Sequence, residues 1–256
     1  MITSKSNAKV KNVIDLQKHV KARIEQNAYV IEGQKMFEEL PKESILEVYA
    51  TAEFADKQAD LLKDLSVEVV DERVFAQMAD TKTPQGILCV AEQMKYKLDD
   101  LLKSPQAFLL VLEDLQDPGN VGTIFRTAEG AGVDGIILSR NCVDVYNPKT
   151  VRSAMGSIQR VPFLYTDDLP ETLEALKAVK ILTYAAHLAG ARQYDQEDYK
   201  SGCAFLIGNE GKGLSEKLAK AADVLVKIPM EGKVESLNAA IAATVLMYEG
   251  ARQRRS

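Results

Sequence analysis

The sequence predicts an α/β protein made of two units. Three observations predict it. Short apolar runs of strand length alternate along the chain with stretches of helical periodicity. Phe108–Leu112 is a continuous apolar run, the pattern of a strand buried on both faces of a parallel sheet. Between two regularly patterned segments lies a polar, mixed stretch over 93–106, read as a linker.

The first segment, 1–92, opens on a helix whose apolar stripe is Val10, Val13, Ile14 and Leu16. A short buried strand over 29–33 ends at a turn on Gly33. Further strands are predicted over 46–51, 67–70 and 86–91, with amphipathic helices over 33–40, 53–65 and 71–79. The second segment, 107–256, alternates more regularly. Its strands are predicted over 108–112, 135–138, 161–165, 181–186, 204–207 and 224–228. Helices are predicted after Gly119, near 149–158 and over 237–253, the last of these long and apolar. Strands alternating with helices imply a mostly parallel sheet covered on both faces.

Composition sets the broad class. The chain has 256 residues, 46% apolar and 27% charged, which fits a folded globular protein and excludes a disordered or fibrous one. The length allows two domains, each with its own core. No apolar run approaches the roughly 18–20 residues that span a bilayer. The polar, basic start carries no signal-peptide pattern. A cytoplasmic protein with no membrane partner is expected. Cys89, Cys142 and Cys203 are widely spaced without a C-x-x-C, so buried thiols are expected rather than disulfides. With only His19 and His187 available, no metal site and no recognisable Ser-His-Asp apparatus is expected.

The net charge of −5 argues against a polyanionic partner, but its distribution argues back. Residues 1–24 carry six basic side chains (Lys5, Lys9, Lys11, Lys18, Lys21, Arg23) against one acid, Asp15. The chain closes on Arg252, Arg254 and Arg255, while 36–80 is acidic. Local basic patches matter more for nucleic-acid binding than the total does.

Three segments of the second unit carry chemistry. In the first, a buried strand enters Glu113-Asp114-Leu115-Gln116-Asp117-Pro118-Gly119-Asn120, and Arg126 follows Asn120 within about two helical turns. Strand-to-helix turns of this kind are where open α/β sheets bind ligands. Asn120 reads as a helix N-cap and Arg126 as either a surface cation or a site residue. In the second, a strand opens into Gly208-Asn209-Glu210-Gly211-Lys212-Gly213, with more glycines than one turn needs. In the third, Ile228-Pro229-Met230 ends a strand and Ser236-Leu237-Asn238 enters the last helix, with Ser236 or Glu235 as the expected cap. Neither a G-x-G-x-x-G fingerprint nor a Walker loop is present, which argues against a nucleotide-dependent metabolic enzyme.

In this order, the three segments resemble the motifs of the SpoU–TrmH class of knotted RNA methyltransferases. The carrying residues are Asn120 and Arg126, the Gly208-Asn209-Glu210 loop, and Ile228-Pro229-Met230 with Ser236-Leu237-Asn238. The start of the chain (Ile2 to Asn7, Val30-Ile31-Glu32-Gly33, Thr83-Pro84-Gln85-Gly86) is similar to that family's RNA substrate-binding domain. The resemblance implies a C-terminal parallel sheet with a deep trefoil knot and a smaller N-terminal domain resembling a ribosomal-protein fold. It implies S-adenosylmethionine as cofactor, touching Gly208, Ile228 and Leu237. It implies methyl transfer to a ribose 2′-OH, with Arg126, Asn120, Glu210, Ser236 and Asn238 as catalytic residues. Ribosomal RNA is the favoured substrate, with transfer RNA as the alternative, and a homodimer is implied. A non-catalytic RNA-binding or ribosome-assembly protein is the competing class.

Overall fold

The computed structural model describes residues 1–255. In chain order its first elements are α1 (Ala8–Lys18), α2 (Val20–Gln26), β1 (Ala28–Glu32), α3 (Gln34–Glu38), β2 (Ile45–Thr51) and α4 (Ala52–Lys57). Next come β3 (Val67–Val70), α5 (Glu72–Met78), β4 (Ile87–Glu92), α6 (Leu98–Leu101), β5 (Phe108–Leu112), α7 (Pro118–Ala131), β6 (Gly135–Ser139) and α8 (Pro148–Ala154). The chain ends with β7 (Phe163–Thr166), α9 (Leu169–Ala178), β8 (Leu182–Ala186), β9 (Arg192–Gln193), β10 (Cys203–Ile207), α10 (Glu216–Ala221), β11 (Val224–Lys227) and α11 (Ala239–Arg254). Two compact units form, Met1–Met94 with Asp144–Gly156, and Lys95–Val143 with Ser157–Ser256.

The first unit is a four-stranded mixed sheet in the order β1-β4-β2-β3. β4 is antiparallel to both neighbours, and β2 pairs parallel with β3. Val10, Val13 and Leu16 of the predicted stripe are fully buried in its core, with Tyr49, Phe75 and Met78. Arg23 is the unexpected member, only 3% exposed. Its Nε donates to Asp144 at 2.6 Å and its Nη1 to the Leu16 carbonyl at 2.6 Å, so its charge is neutralised where it is buried.

The second unit is a seven-stranded sheet in the order β7-β6-β5-β10-β8-β11-β9. Every recorded pairing in it is parallel. β5, β6 and β10 are buried along their whole length, which explains their unbroken apolar sequences. α11 lies close over the sheet because Gly250 has no side chain; a Cβ there would come within 2.9 Å of the Phe108 ring. Parallel strands all end on the same side, so the three motif loops, which follow β5, β10 and β11, share one edge. Among the described residues no helix is long and apolar enough to cross a membrane.

The structure departs from the sequence reading at several points. The helix predicted over 53–65 stops at Lys57, since between 58 and 65 only Leu62 is buried. The predicted early helix is α1, which carries the whole stripe, and α2, which the sequence reading lacked, follows it after His19. α9, absent from the sequence reading, is capped by Asp168 with a proline in its first turn. Segment 144–156, expected within the second domain, packs with the first unit through Asp144, Tyr146 and Arg152, while Lys95 onward belongs to the second.

Candidate active site

β5 leads into Asp114, a non-glycine residue in the left-handed region at φ 56. An aspartate tolerates that conformation because its short side chain finds local hydrogen bonds. Here the Asp114 amide donates to Ser139 Oγ at 2.8 Å, and Ser139 Oγ donates back to the carboxylate at 2.7 Å. The turn aims the Asp114 carbonyl at Asn209, whose Nδ2 donates to it at 2.7 Å. α7 then begins at Pro118, capped by Asp117, whose carboxylate accepts from the Asn120 amide at 2.8 Å. Asn120 is therefore the third residue of the helix rather than its cap. The Asp-Pro pair explains this: proline suits a first helical position and aspartate the position before it.

The second loop is shaped by its own asparagine. Asn209 Oδ1 accepts from the amides of Gly211 at 3.0 Å and Lys212 at 3.1 Å. Asn209 and Gly213 also exchange backbone hydrogen bonds of 3.1 and 2.9 Å. At Gly208 a Cβ would lie 2.2 Å from the backbone of Gly213 and Leu214, so no other residue fits there without moving the loop. Gly213 takes φ 69, a conformation that glycine adopts at little cost.

From this loop the Glu210 carboxylate reaches back to the start of α7. It accepts from the amides of Gln116 and Asp117 at 3.1 Å each and from Asn120 Nδ2 at 3.1 Å. Burial pushes the Glu210 carboxyl up, but the hydrogen bonds from Asn120, Gln116 and Asp117 together outweigh it and hold the group below its ordinary range. Glu113 braces the far side of the loop, accepting from the amide and the hydroxyl of Ser215 at 2.7 and 2.6 Å.

The third segment runs without regular structure from Ile228 to Asn238. Asn238, and not Ser236 or Glu235, caps α11: its Oδ1 accepts from Ala240 N at 2.9 Å and Ile241 N at 3.3 Å. Its Nδ2 donates to Asn120 Oδ1 at 3.0 Å. Glu210, Asn120 and Asn238 thus form one continuous hydrogen-bonded chain joining all three motifs.

The other predicted residues are placed differently. Gly208, Ile228 and Leu237 are half-buried beside the same strand ends. Ser236 is exposed, with no hydrogen bond among the described residues. Arg126 is exposed on α7, without hydrogen bond or ion pair among the described residues. Six residues along a helix is a turn of about 600°, which sets Arg126 about 120° round α7 from Asn120. The helical angle separates two residues that stand only six positions apart. Three residues that hold the site, Glu113, Asp114 and Asn209, carried no assigned role in the sequence reading. The signal was available, since Asp and Asn at strand ends favour left-handed and Asx turns.

Residues 107–248 match the SpoU rRNA methylase family, and 7–89 match the MRM3-like substrate binding domain. The chain belongs to the SpoU rRNA methylase family. It is 33% identical over 96% of its length to the 23S rRNA (guanosine(2553)-2′-O)-methyltransferase RlmP of Bacillus subtilis, covering 97% of that protein. It is 32% identical over 83% of its length to the 23S rRNA (guanosine-2′-O-)-methyltransferase RlmB of Bordetella pertussis, covering 91% of it. An AdoMet-bound rRNA methyltransferase from Sinorhizobium meliloti has a similar structure, with TM-score 0.87 and 31% identity, covering 98% of this chain and 97% of that one. The SpoU methyltransferase AviRb of Streptomyces viridochromogenes, in complex with AdoMet, gives TM-score 0.88 and 26% identity, covering 98% and 99%. The Glu210–Asn120–Asn238 chain lies within the span that matches the family, and Glu113, Asp114 and Asn209 brace the loops around it.

Proposed function

We propose that this protein transfers the methyl group of S-adenosylmethionine to a ribose 2′-OH of large-subunit ribosomal RNA. The general class, an S-adenosylmethionine-dependent RNA methyltransferase, goes with the family. The single observation that carries the reading is the Glu210–Asn120–Asn238 chain, which ties the three motif loops into one site.

The residues at this edge suit the cofactor. From Ile228 to Leu237 the backbone is outside helix and strand, so its N–H and C=O groups are available to a ligand. Half-buried Ile228 and Leu237 offer aliphatic walls for a flat ring, and Gly208 lets backbone approach closely. When bound, S-adenosylmethionine supplies an activated methyl group, and the protein supplies alignment and a stronger nucleophile. Asn120, Asn238 and Ser236 orient the ribose and its phosphate beside the start of α11.

Arg126 stabilises the developing alkoxide as a cation, since arginine keeps its proton in proteins. Because it turns away from Asn120, it serves the site of the other protomer in a homodimer. The N-terminal domain, 1–92, binds RNA on a ribosomal-protein-like fold, with the exposed lysines of 1–24 on phosphates; Arg23, buried against Asp144, takes no part. The methyltransferase domain, 107–256 apart from segment 144–156, is knotted, a reading supported by the insertion of β10 between β5 and β8. The protein works in the cytoplasm.

The test is a labelling assay with methyl-labelled S-adenosylmethionine and RNA from cells lacking the gene, using wild type and Arg126→Ala. Label in a 2′-O-methyl nucleoside of ribosomal RNA, with wild type alone, is expected. Label on a base overturns the chemistry, label in transfer RNA overturns the substrate, and no label on any RNA favours a binding protein.

A further inference from the structure

The first unit holds a cavity of about 380 Å³ that methyl transfer does not use. It opens where β2 ends and α4 and α5 begin, beside Pro84, Gln85 and Gly86. Its size is within the ~300–1,000 Å³ typical of small-ligand sites. Its apolar lining is Phe54, Pro84 and the buried Phe75, an apolar floor for a flat ring.

The walls are preformed. The Thr51 amide donates to the Gly86 carbonyl at 2.9 Å, and Thr51 Oγ1 accepts from the Phe54 amide at 3.2 Å. Gly86 has φ 87, and a Cβ there would lie 2.7 Å from Thr51 Oγ1. The Gln85 carboxamide oxygen is held by the Gln34 amide at 2.9 Å. A pocket fixed on both sides binds with a reduced ordering cost.

The rim decides the chemistry. Glu53 and Glu72 both border the cavity, and its one cation, Lys57, is paired with Glu53 at 2.5 Å. Glu72 makes no hydrogen bond or ion pair among the described residues. Such a rim repels phosphate and attracts hydrogen-bond donors. Among the parts of an RNA, guanine alone presents an imino N–H and an amino group side by side, and these match the two oxygens of a carboxylate. Cytosine and adenine offer only an amino group. Sequence-specific RNA recognition mostly reads unpaired bases.

We propose that this cavity is a base-reading pocket that takes an unpaired guanine of the RNA substrate, with Glu72 as its acceptor. The inference rests on the reading of the chain as an RNA methyltransferase. The experiment is an amide NMR titration of the full-length protein with the trinucleotides UGU, UAU, UCU and UUU. UGU is expected to shift the amides of Phe54, Glu72 and Gly86, and the other three to bind at least about tenfold more weakly. Glu72→Gln, checked for an otherwise unchanged spectrum, is expected to weaken UGU about tenfold and erase the preference. No shift at these amides, equal shifts from all four, or an unaltered preference in Glu72→Gln overturns the proposal. Methyl transfer by the wild type is measured in parallel. Intact transfer with no UGU response refutes the pocket alone, and a UGU response with no transfer to any RNA refutes the enzyme reading alone.

Discussion

Glu210→Gln removes one charge and changes almost no volume, so its effect can be worked out bond by bond. The wild-type carboxylate accepts three N–H groups: Gln116 on one oxygen, Asp117 and Asn120 on the other. A glutamine presents one oxygen and one NH2. Its better orientation keeps the Asp117 and Asn120 bonds as neutral ones and turns the NH2 against the Gln116 amide. Hydrogen bonds to a charged acceptor are worth about 1.5–3 kcal/mol and neutral ones about 0.5–1.5 kcal/mol. Glu210 is solvent-accessible, so water competes, and the net loss is discounted to about 1–2 kcal/mol. For a unit of this size that is a Tm lower by roughly 3–6 °C.

The pH dependence gives the refutable part. The folded carboxyl is held below its ordinary range, so its stabilisation is fully present above the unfolded glutamate value of about 4.3 and is lost as pH falls through the lower folded value. A protonated Glu210 resembles glutamine in having one acceptor oxygen and one donor. The Tm difference between wild type and Glu210→Gln is therefore expected to be largest near neutral pH and to shrink below about pH 4. Paired thermal melts across that range measure it. An offset that is the same at both ends, or that grows in acid, would refute the reasoning.

Arg126→Ala is expected to lower kcat by about 10²–10³-fold, with stability within ~0.5 kcal/mol, because the side chain has no recorded partner to lose. Mixing inactive Arg126→Ala with inactive Asn120→Ala should restore activity if each protomer lends its arginine to the other; an inactive mixture contradicts that arrangement. Gly208→Ala, with a Cβ 2.2 Å from backbone, must shift the loop and is expected to weaken S-adenosylmethionine binding by calorimetry while the first unit stays folded. Asn238→Ala should cost about 1 kcal/mol through the lost cap, read by denaturant titration, and lower kcat/KM through the lost hold on Asn120. Replacing Lys11 and Lys18 with alanine should reduce the slope of log K against log salt for RNA by roughly 0.7–0.9 per residue; an unchanged slope would remove these cations from the RNA surface.

Much of this was legible from sequence because it is set locally. The strands of the parallel sheet were readable where each is buried on both faces, as at Phe108–Leu112 and Cys203–Ile207. Helix starts were less readable, because several polar residues compete for each cap. Asp117 displaced Asn120 and Asn238 displaced Ser236, each settled by which side chain reaches an amide two or three residues ahead. Where an element packs, when partners decide it, was not readable. α8 joins the first unit because Arg23 and Asp80 meet Asp144 and Arg152, a choice no local periodicity encodes.

The sequence alone determined the α/β class, the division into two patterned segments and the three motif loops that follow β5, β10 and β11, since hydrophobic period and turn residues act over a few positions. Tertiary structure decided which side chains meet. Asn120 touches Glu210 across 90 residues and Asn238 across 118 only because β5, β10 and β11 end on the same edge. Arg126, six positions from Asn120, is turned away because helical geometry, and not distance along the chain, sets its direction.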